Sequence, residues 1–163
     1  MVSKRLSREA GHRRKFLAVV DGTPECERAV AYAARRAQST GGVLVLLYVI
    51  EPGDFAGWLG VEQIMRDEAA ANAGAALDAM AQRVRSRVGL EPELVQREGS
   101  ASEAIHALID EDQDIAVLVL AAGGSKEGPG PLVASVAGKG VGFPIPVTVV
   151  PATLSDDEID SVG

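Results

Sequence analysis

Three short runs made almost wholly of aliphatic side chains constrain this chain more than anything else in it: Phe16–Val20, Val43–Ile50 and Ile115–Leu120. A strand with one wet face alternates apolar and polar residues. A run without that alternation needs cover on both faces, which is the condition of a central strand in a parallel sheet. The segments between the runs carry the complementary signal. After the turn Asp21-Gly22-Thr23-Pro24, the residues Ala29, Val30, Ala33, Ala34 and Ala37 recur at helical spacing until Gly41-Gly42. A longer helix is predicted over about 61–88, with Ile64, Met65, Ala69, Ala73, Ala76, Leu77, Met80, Ala81 and Val84 as its buried stripe. Residues 91–97 read as a more polar strand suited to an edge. Ser100-x-x-Glu103 is a capping box that starts a helix running to about Ile109. A glycine-rich stretch over 121–131 leads into a short helix from Leu132 to about Lys139, and Val147–Val150 forms a last strand after Pro144 and Pro146.

This order alternates strand and helix throughout. It predicts a single-domain, doubly wound, Rossmann-like α/β fold: a five-stranded, mostly parallel sheet with right-handed crossovers and helices on both faces. The domain is expected over 15–151, between a basic, disordered arm (1–14) and an acidic, disordered tail (152–163). Aromatic residues are only 4% of the 163, so the core must be aliphatic.

Charge and composition exclude several function classes. Residues 1–15 hold six basic side chains against Glu9 alone, while the rest of the chain holds 10 basic and 22 acidic ones. A body that acidic is not a nucleic-acid platform. No apolar run approaches the ~18 residues that span a bilayer. The basic start lacks a following apolar stretch, so it is not a secretory signal, and the single cysteine, Cys26, forms no intrachain disulfide. A cytoplasmic location is expected.

In doubly wound sheets ligands bind beyond the carboxyl ends of the strands, where the strand order reverses. Asp21-Gly22-Thr23, Tyr48-Val49-Ile50 and residues 121–136 should meet there. A glycine-rich loop running into a helix start presents backbone N–H groups to an anion. The familiar phosphate motifs are absent: Gly138-Lys139 is followed by Gly140 rather than Ser or Thr, and there is no G-x-G-x-x-G. His12 and His106 stand apart with no Cys/His cluster, so no metal site and no catalytic residue is expected. Cys26 reads as a small packing residue.

Four pieces in order resemble the universal stress protein family, over about 15–151. They are Lys15-Phe-Leu-Ala-Val-Val-Asp-Gly-Thr-Pro-Glu-Cys-Glu-Arg-Ala-Val30, Leu46-Leu-Tyr-Val-Ile-Glu-Pro52, Glu98-Gly-Ser-Ala-Ser-Glu-Ala-Ile105 and Pro144-Ile-Pro-Val-Thr-Val-Val150. The resemblance implies a fold like that of the adenine nucleotide alpha hydrolase group. Some members of the family bind ATP through Gly-x2-Gly-x9-Gly-Ser/Thr. Here the matching positions are Ala121, Gly124, Ala134 and Ser135, so the spacing is intact and two glycines are alanine. Carried over residue by residue, the resemblance implies that Asp21, with Gly22 and Thr23, meets the ribose or a phosphate-bound Mg ion. It implies that the backbone of Val49 reads the adenine edge, that Ser135 and Val136 meet phosphate, and that Lys126 approaches the phosphate tail. Each residue also has a plain structural reading. Asp21 suits an Asx-turn or a helix N-cap, Val49 core packing, Ser135 a bond to its own helix backbone, and Lys126 solvent. Glu127, Pro129 and Pro131 count against tight triphosphate binding.

Two functions follow from the resemblance. One is a stress-response regulator that binds an adenine nucleotide, ATP or AMP, with at most weak ATP hydrolysis. The other is a dimeric scaffold of the same fold that acts through protein contacts. Either implies a homodimer joined through Val147–Val150. Phe55 and Trp58 are expected to pack against the long helix or a second subunit.

Overall fold

The computed structural model describes residues 4–51, 61–123, 132–133 and 142–163. Five strands form one parallel sheet: β1 (Lys15–Val19), β2 (Val43–Ile50), β3 (Glu93–Glu98), β4 (Ile115–Ala122) and β5 (Val147–Pro151). Their spatial order is β3-β2-β1-β4-β5. The chain therefore builds outward from β1 in one direction, returns over β2 and β1, and builds outward in the other. The reversal falls between β1 and β4. Helices α1 (Cys26–Thr40) and α2 (Glu62–Val88) cover one face and α3 (Ala101–Glu111) the other, as right-handed crossovers require.

The three aliphatic runs are the three central strands. Leu17, Val19, Val45, Leu47 and Leu118 point to the α3 face, where they meet Ile105, Leu108 and Ile109. Phe16, Ala18, Leu44, Leu46 and Val119 point to the α1–α2 face, against Val30, Ala33, Ala34, Leu77 and Val84. Each fully buried Leu, Ile or Phe contributes about 1.5–3 kcal/mol over its exposed state. The run of alanines on α1 lets that helix sit close on the sheet.

Ser100 accepts a hydrogen bond from the Glu103 N–H and caps α3 at 3.3 Å. The polar strand β3 lies at one edge, and β5 at the other.

The structure differs from the sequence expectation at three places. The buried stripe of α2 is Ala73, Leu77, Ala81, Val84 and Val88, whereas Ile64 is 64% exposed. The reason is length. At ~1.5 Å per residue a helix of 27 residues outruns an eight-residue strand by more than ten ångströms, so its first turns overhang the sheet. Residues 152–163 are not a free tail: Asp156–Val162 form a further helix, α4, whose Ile159 is fully buried. Residues 4–14 are not a free arm. Arg5 Nη1 donates to the carbonyl oxygens of Ile109 and Ile115 at 2.6 and 3.2 Å, and the Leu6 N–H donates to the Gln113 oxygen at 2.9 Å. The Arg5 side chain thus satisfies open carbonyls at the end of α3 and the start of β4.

Candidate functional site

Strand lengths create the site. β1 pairs with β2 from Lys15↔Val43 to Val19↔Leu47, and the last bond between them runs from the Val20 N–H to the Leu47 oxygen. β2 continues three residues further, through Tyr48, Val49 and Ile50, paired only with β3. On the other side β1 pairs with β4 as far as Ala18↔Val119, while β4 runs on to Ala122 against β5. The central strand thus stops short of both neighbours. A notch opens at the carboxyl edge, at the point where strand order reverses.

The turn that leaves β1 forms the floor of this notch. Asp21 Oδ1 accepts from the Thr23 N–H at 2.9 Å and from the Thr23 hydroxyl at 2.6 Å. That is an Asx-turn, and Gly22 sits at its middle with a positive φ of 79°. The N-cap alternative for Asp21 is not realised, because the cap position of α1 is Glu25, which makes no side-chain cap bond.

Two cavities adjoin Asp21. One, of about 150 Å³, lies between the Asp21–Cys26 turn and the end of β4, and is lined by Thr23, Cys26, Ala121 and Gly123. The second, of about 500 Å³, lies between β1 and the overhang of β2, with Tyr48, Val49 and Ile50 on one side and Ala69 and Asn72 of α2 on another. Only the second is within the ~300–1,000 Å³ typical of small-molecule sites. The overhanging first half of α2, which its apolar spacing assigned to the core, supplies the wall of this cavity. Leu132 contributes to both cavities.

The structure therefore brings Asp21, Thr23, Val49 and Ala121 to one place, with Gly22 in the turn between them. Gly124, Lys126, Ala134, Ser135 and Val136 lie outside the described residues, as do Phe55 and Trp58. Cys26, Ala69, Asn72 and Ala101 also line the cavities, although no sequence pattern marks them as ligand contacts. Only topology places them there, since they come from three helices.

Electrostatically the notch is acidic. Asp21, Glu25 and Glu51 line the two cavities, and among the described lining residues there is no lysine or arginine. Burial pushes the Cys26 thiol up, outweighing the lowering by backbone N–H groups of Asp21 and Gly22. A thiol held protonated at a helix start is a packing group rather than a nucleophile. His106 stacks on Phe143, with ring centroids 4.8 Å apart, away from the notch. Among the described residues no group of three or more His, Cys, Asp or Glu side chains is placed to hold a metal ion.

The universal stress protein family matches residues 12–151. The chain belongs to that family. Solved universal stress proteins share the fold at low identity. That of Lactobacillus plantarum, UspA, is 20% identical, with 84% of this chain and 97% of that one covered and a TM-score of 0.66. A universal stress protein in complex with cAMP is 20% identical, with 86% and 98% covered and a TM-score of 0.64. The Archaeoglobus fulgidus universal stress protein in complex with dAMP is 20% identical, with 92% and 99% covered and a TM-score of 0.60. No curated protein sequence matches the chain. The family match ends at Pro151, so α4 lies beyond it.

Proposed function

We propose that this universal stress protein binds an adenine nucleotide in the notch and acts as a stress-response regulator. The observation that carries the reading is the shortened β1, which leaves the Asp21 carboxylate at the floor of a cavity of about 500 Å³ beside Val49. The cAMP and dAMP complexes of universal stress proteins of the same fold support it. In this reading the adenine lies against Tyr48 and Val49, where the overhanging strand offers backbone groups on its β1 side. The ribose lies over the Asp21-Gly22-Thr23 turn. The phosphates point to the end of β4, at Ala121, and on to Gly124, Lys126, Ala134, Ser135 and Val136.

Charge sets the order of preference among nucleotides. Three carboxylates without a described cation repel a bare triphosphate. A nucleoside monophosphate carries less charge to the same place. ATP would need Mg, which takes one or two carboxylates together with phosphate oxygens. Asp21 fits that role, because both its turn bonds use Oδ1. Bound Mg would neutralise phosphate charge beside Asp21, and the turn would hold the carboxylate in place.

Equilibrium dialysis with AMP, and with ATP in the presence and absence of Mg, tests this. AMP is expected to bind without metal, and ATP only with it. Asp21→Ala is expected to weaken either by about tenfold or more, the loss of a charge-assisted hydrogen bond. Failure of all three nucleotide conditions to give binding at millimolar concentration would overturn the reading.

A second reading, a scaffold acting through protein contacts, draws on β5. Its outer edge has no strand beside it among the described residues, and Val149 is 40% exposed. An uncharged, β-branched edge invites pairing with a second copy. We propose that copies pair through Val147–Val150 whether or not nucleotide is bound, in a cytoplasmic protein. Lysine at Val149 should then leave a monomer by sedimentation.

A further inference from the structure

Outside the notch, the most elaborate polar cluster is the one that holds α4. Three arginines from two helices converge on it. Arg28 of α1 and Arg87 of α2 both reach Asp156 Oδ1, at 2.9 and 2.8 Å. Arg35 of α1 and Arg87 both reach Asp160 Oδ1, each at 2.9 Å. Arg28 also donates to the Leu154 carbonyl oxygen and Arg87 to that of Asp156. Between the two carboxylates, one helical turn apart, Ile159 is fully buried.

The two sides of this contact are unequal. The arginine side chains are 15–25% exposed, whereas Asp156 and Asp160 are 61% and 39% exposed. The recognising surface is thus built into α1 and α2, and the acidic partner is laid on it. α4 is a modest occupant. It has seven residues and one buried side chain, and its N-terminal turn is held by Ser155 and Glu158. It also leaves the surface incompletely satisfied, since the buried Nε of Arg87 has no acceptor. Beside the arginines a groove of about 630 Å³ continues between α1 and α2. Its walls include Ala31, Ala34 and Met80, and Arg28, Arg83 and Arg87 rim it.

We infer that this face of α1 and α2 is a docking surface for an acidic peptide segment of a partner protein. The segment carries two carboxylates one helical turn apart with an aliphatic side chain between them. α4 displays the same pattern, Asp156-x-x-Ile159-Asp160, and occupies the surface in cis, so a partner binds when α4 leaves. A competing segment with a further acceptor would satisfy Arg87 Nε and extend along the groove. The inference is independent of nucleotide binding, which lies at the carboxyl edge of the sheet.

The test uses the full chain and a fluorescent peptide of residues 152–163 as the probe. Ile159→Asp removes the buried anchor of α4 and leaves the arginines untouched. By anisotropy this variant is expected to bind the peptide about tenfold or more tighter than the unaltered chain, whose own α4 competes. Adding Arg87→Ala to it should cost about tenfold, as should asparagine at both Asp156 and Asp160 of the peptide. A chain carrying Asp156→Asn and Asp160→Asn releases α4 without placing a charge in the core. It should bind the unaltered peptide as the first variant does. Equal binding by the unaltered chain and both released variants would overturn the inference. So would equal binding of a scrambled peptide of the same composition.

Discussion

The two ends of the parallel sheet are built to opposite rules. At the amino end the side chains of Lys15, Arg5 and His12 are each matched by a partner. Lys15 Nζ lies 2.9 Å from Glu93 and 2.8 Å from Asp112, Arg5 fills the carbonyls at the end of α3, and His12 meets Asp114 at 2.7 Å. At the carboxyl end Asp21, Glu25 and Glu51 line cavities without a described cation, and β1 stops short of its neighbours. Matched charges close an end and stabilise the fold. Carboxylates beside an opening that no described cation neutralises leave charge available to a ligand. The comparison separates residues that hold the sheet together from residues available to a ligand.

Substitutions can break this contrast. The largest stability effect is expected at the amino end, for Gly42→Ala. The added methyl would lie 2.6 Å from the Arg14 carbonyl oxygen, whose own acceptor role fixes the start of β2, so backbone must move. A loss of about 2–3 kcal/mol is expected by denaturant unfolding. Arg5→Ala strips a charged donor from the carbonyls of Ile109, Asp112 and Ile115 and should cost about 1–3 kcal/mol by the same measurement. Gly22→Ala, in the turn at the carboxyl end, meets open space and bears only the strain of a positive φ. About 1–2 kcal/mol is expected. Asp21→Ala should cost less than about 1 kcal/mol of stability while weakening nucleotide binding by about tenfold or more. If Asp21→Ala destabilised as much as Gly42→Ala, the carboxyl end would be structural too, and the contrast would fail.

Titration sharpens the same comparison. Burial pulls the Lys15 ammonium down, but hydrogen bonds and charge from Asp112 and Glu93 more than offset it, and its pKa is raised above the ordinary 10.5. A raised folded-state pKa means stability that is full below 10.5 and lost as pH rises through the higher folded value. Lys15→Met should abolish that alkaline loss. The α4 carboxylates work in the opposite direction. Hydrogen bonds from Arg28 and Arg87 lower Asp156 below the ordinary 3.8, and one from Arg35 does the same for Asp160. Their contribution is present above 3.8 and lost as pH falls through the lower folded values. Amide exchange of α4 should therefore rise in acid before that of α1, which reports the smallest effect of the set.

Much of the architecture is legible in local sequence. The three unbroken aliphatic runs require strands covered on both faces, and they are β1, β2 and β4. The Ser100-x-x-Glu103 box marks the start of α3 because a cap is a local bond between residues three apart. The same spacing occurs at Ser155-x-x-Glu158 and caps α4, but there an acidic run with a single isoleucine has no helical period to suggest a buried face. Asp21 is legible as a turn residue for the same local reason. Its neighbours in the site, Ala69, Asn72 and Ala101, are not, since nothing within a few residues of them points to a ligand.

What the sequence by itself determined is the set of elements and their order, because hydrophobic period, caps and turns are interactions between residues close along the chain. The tertiary structure alone decided the notch, which exists only because parallel registers leave β1 shorter than β2 and β4. It also decided the docking of α4, whose carboxylate at Asp160 meets arginines 125 and 73 residues away. Such pairings depend on the chain having already folded, and no local pattern records them.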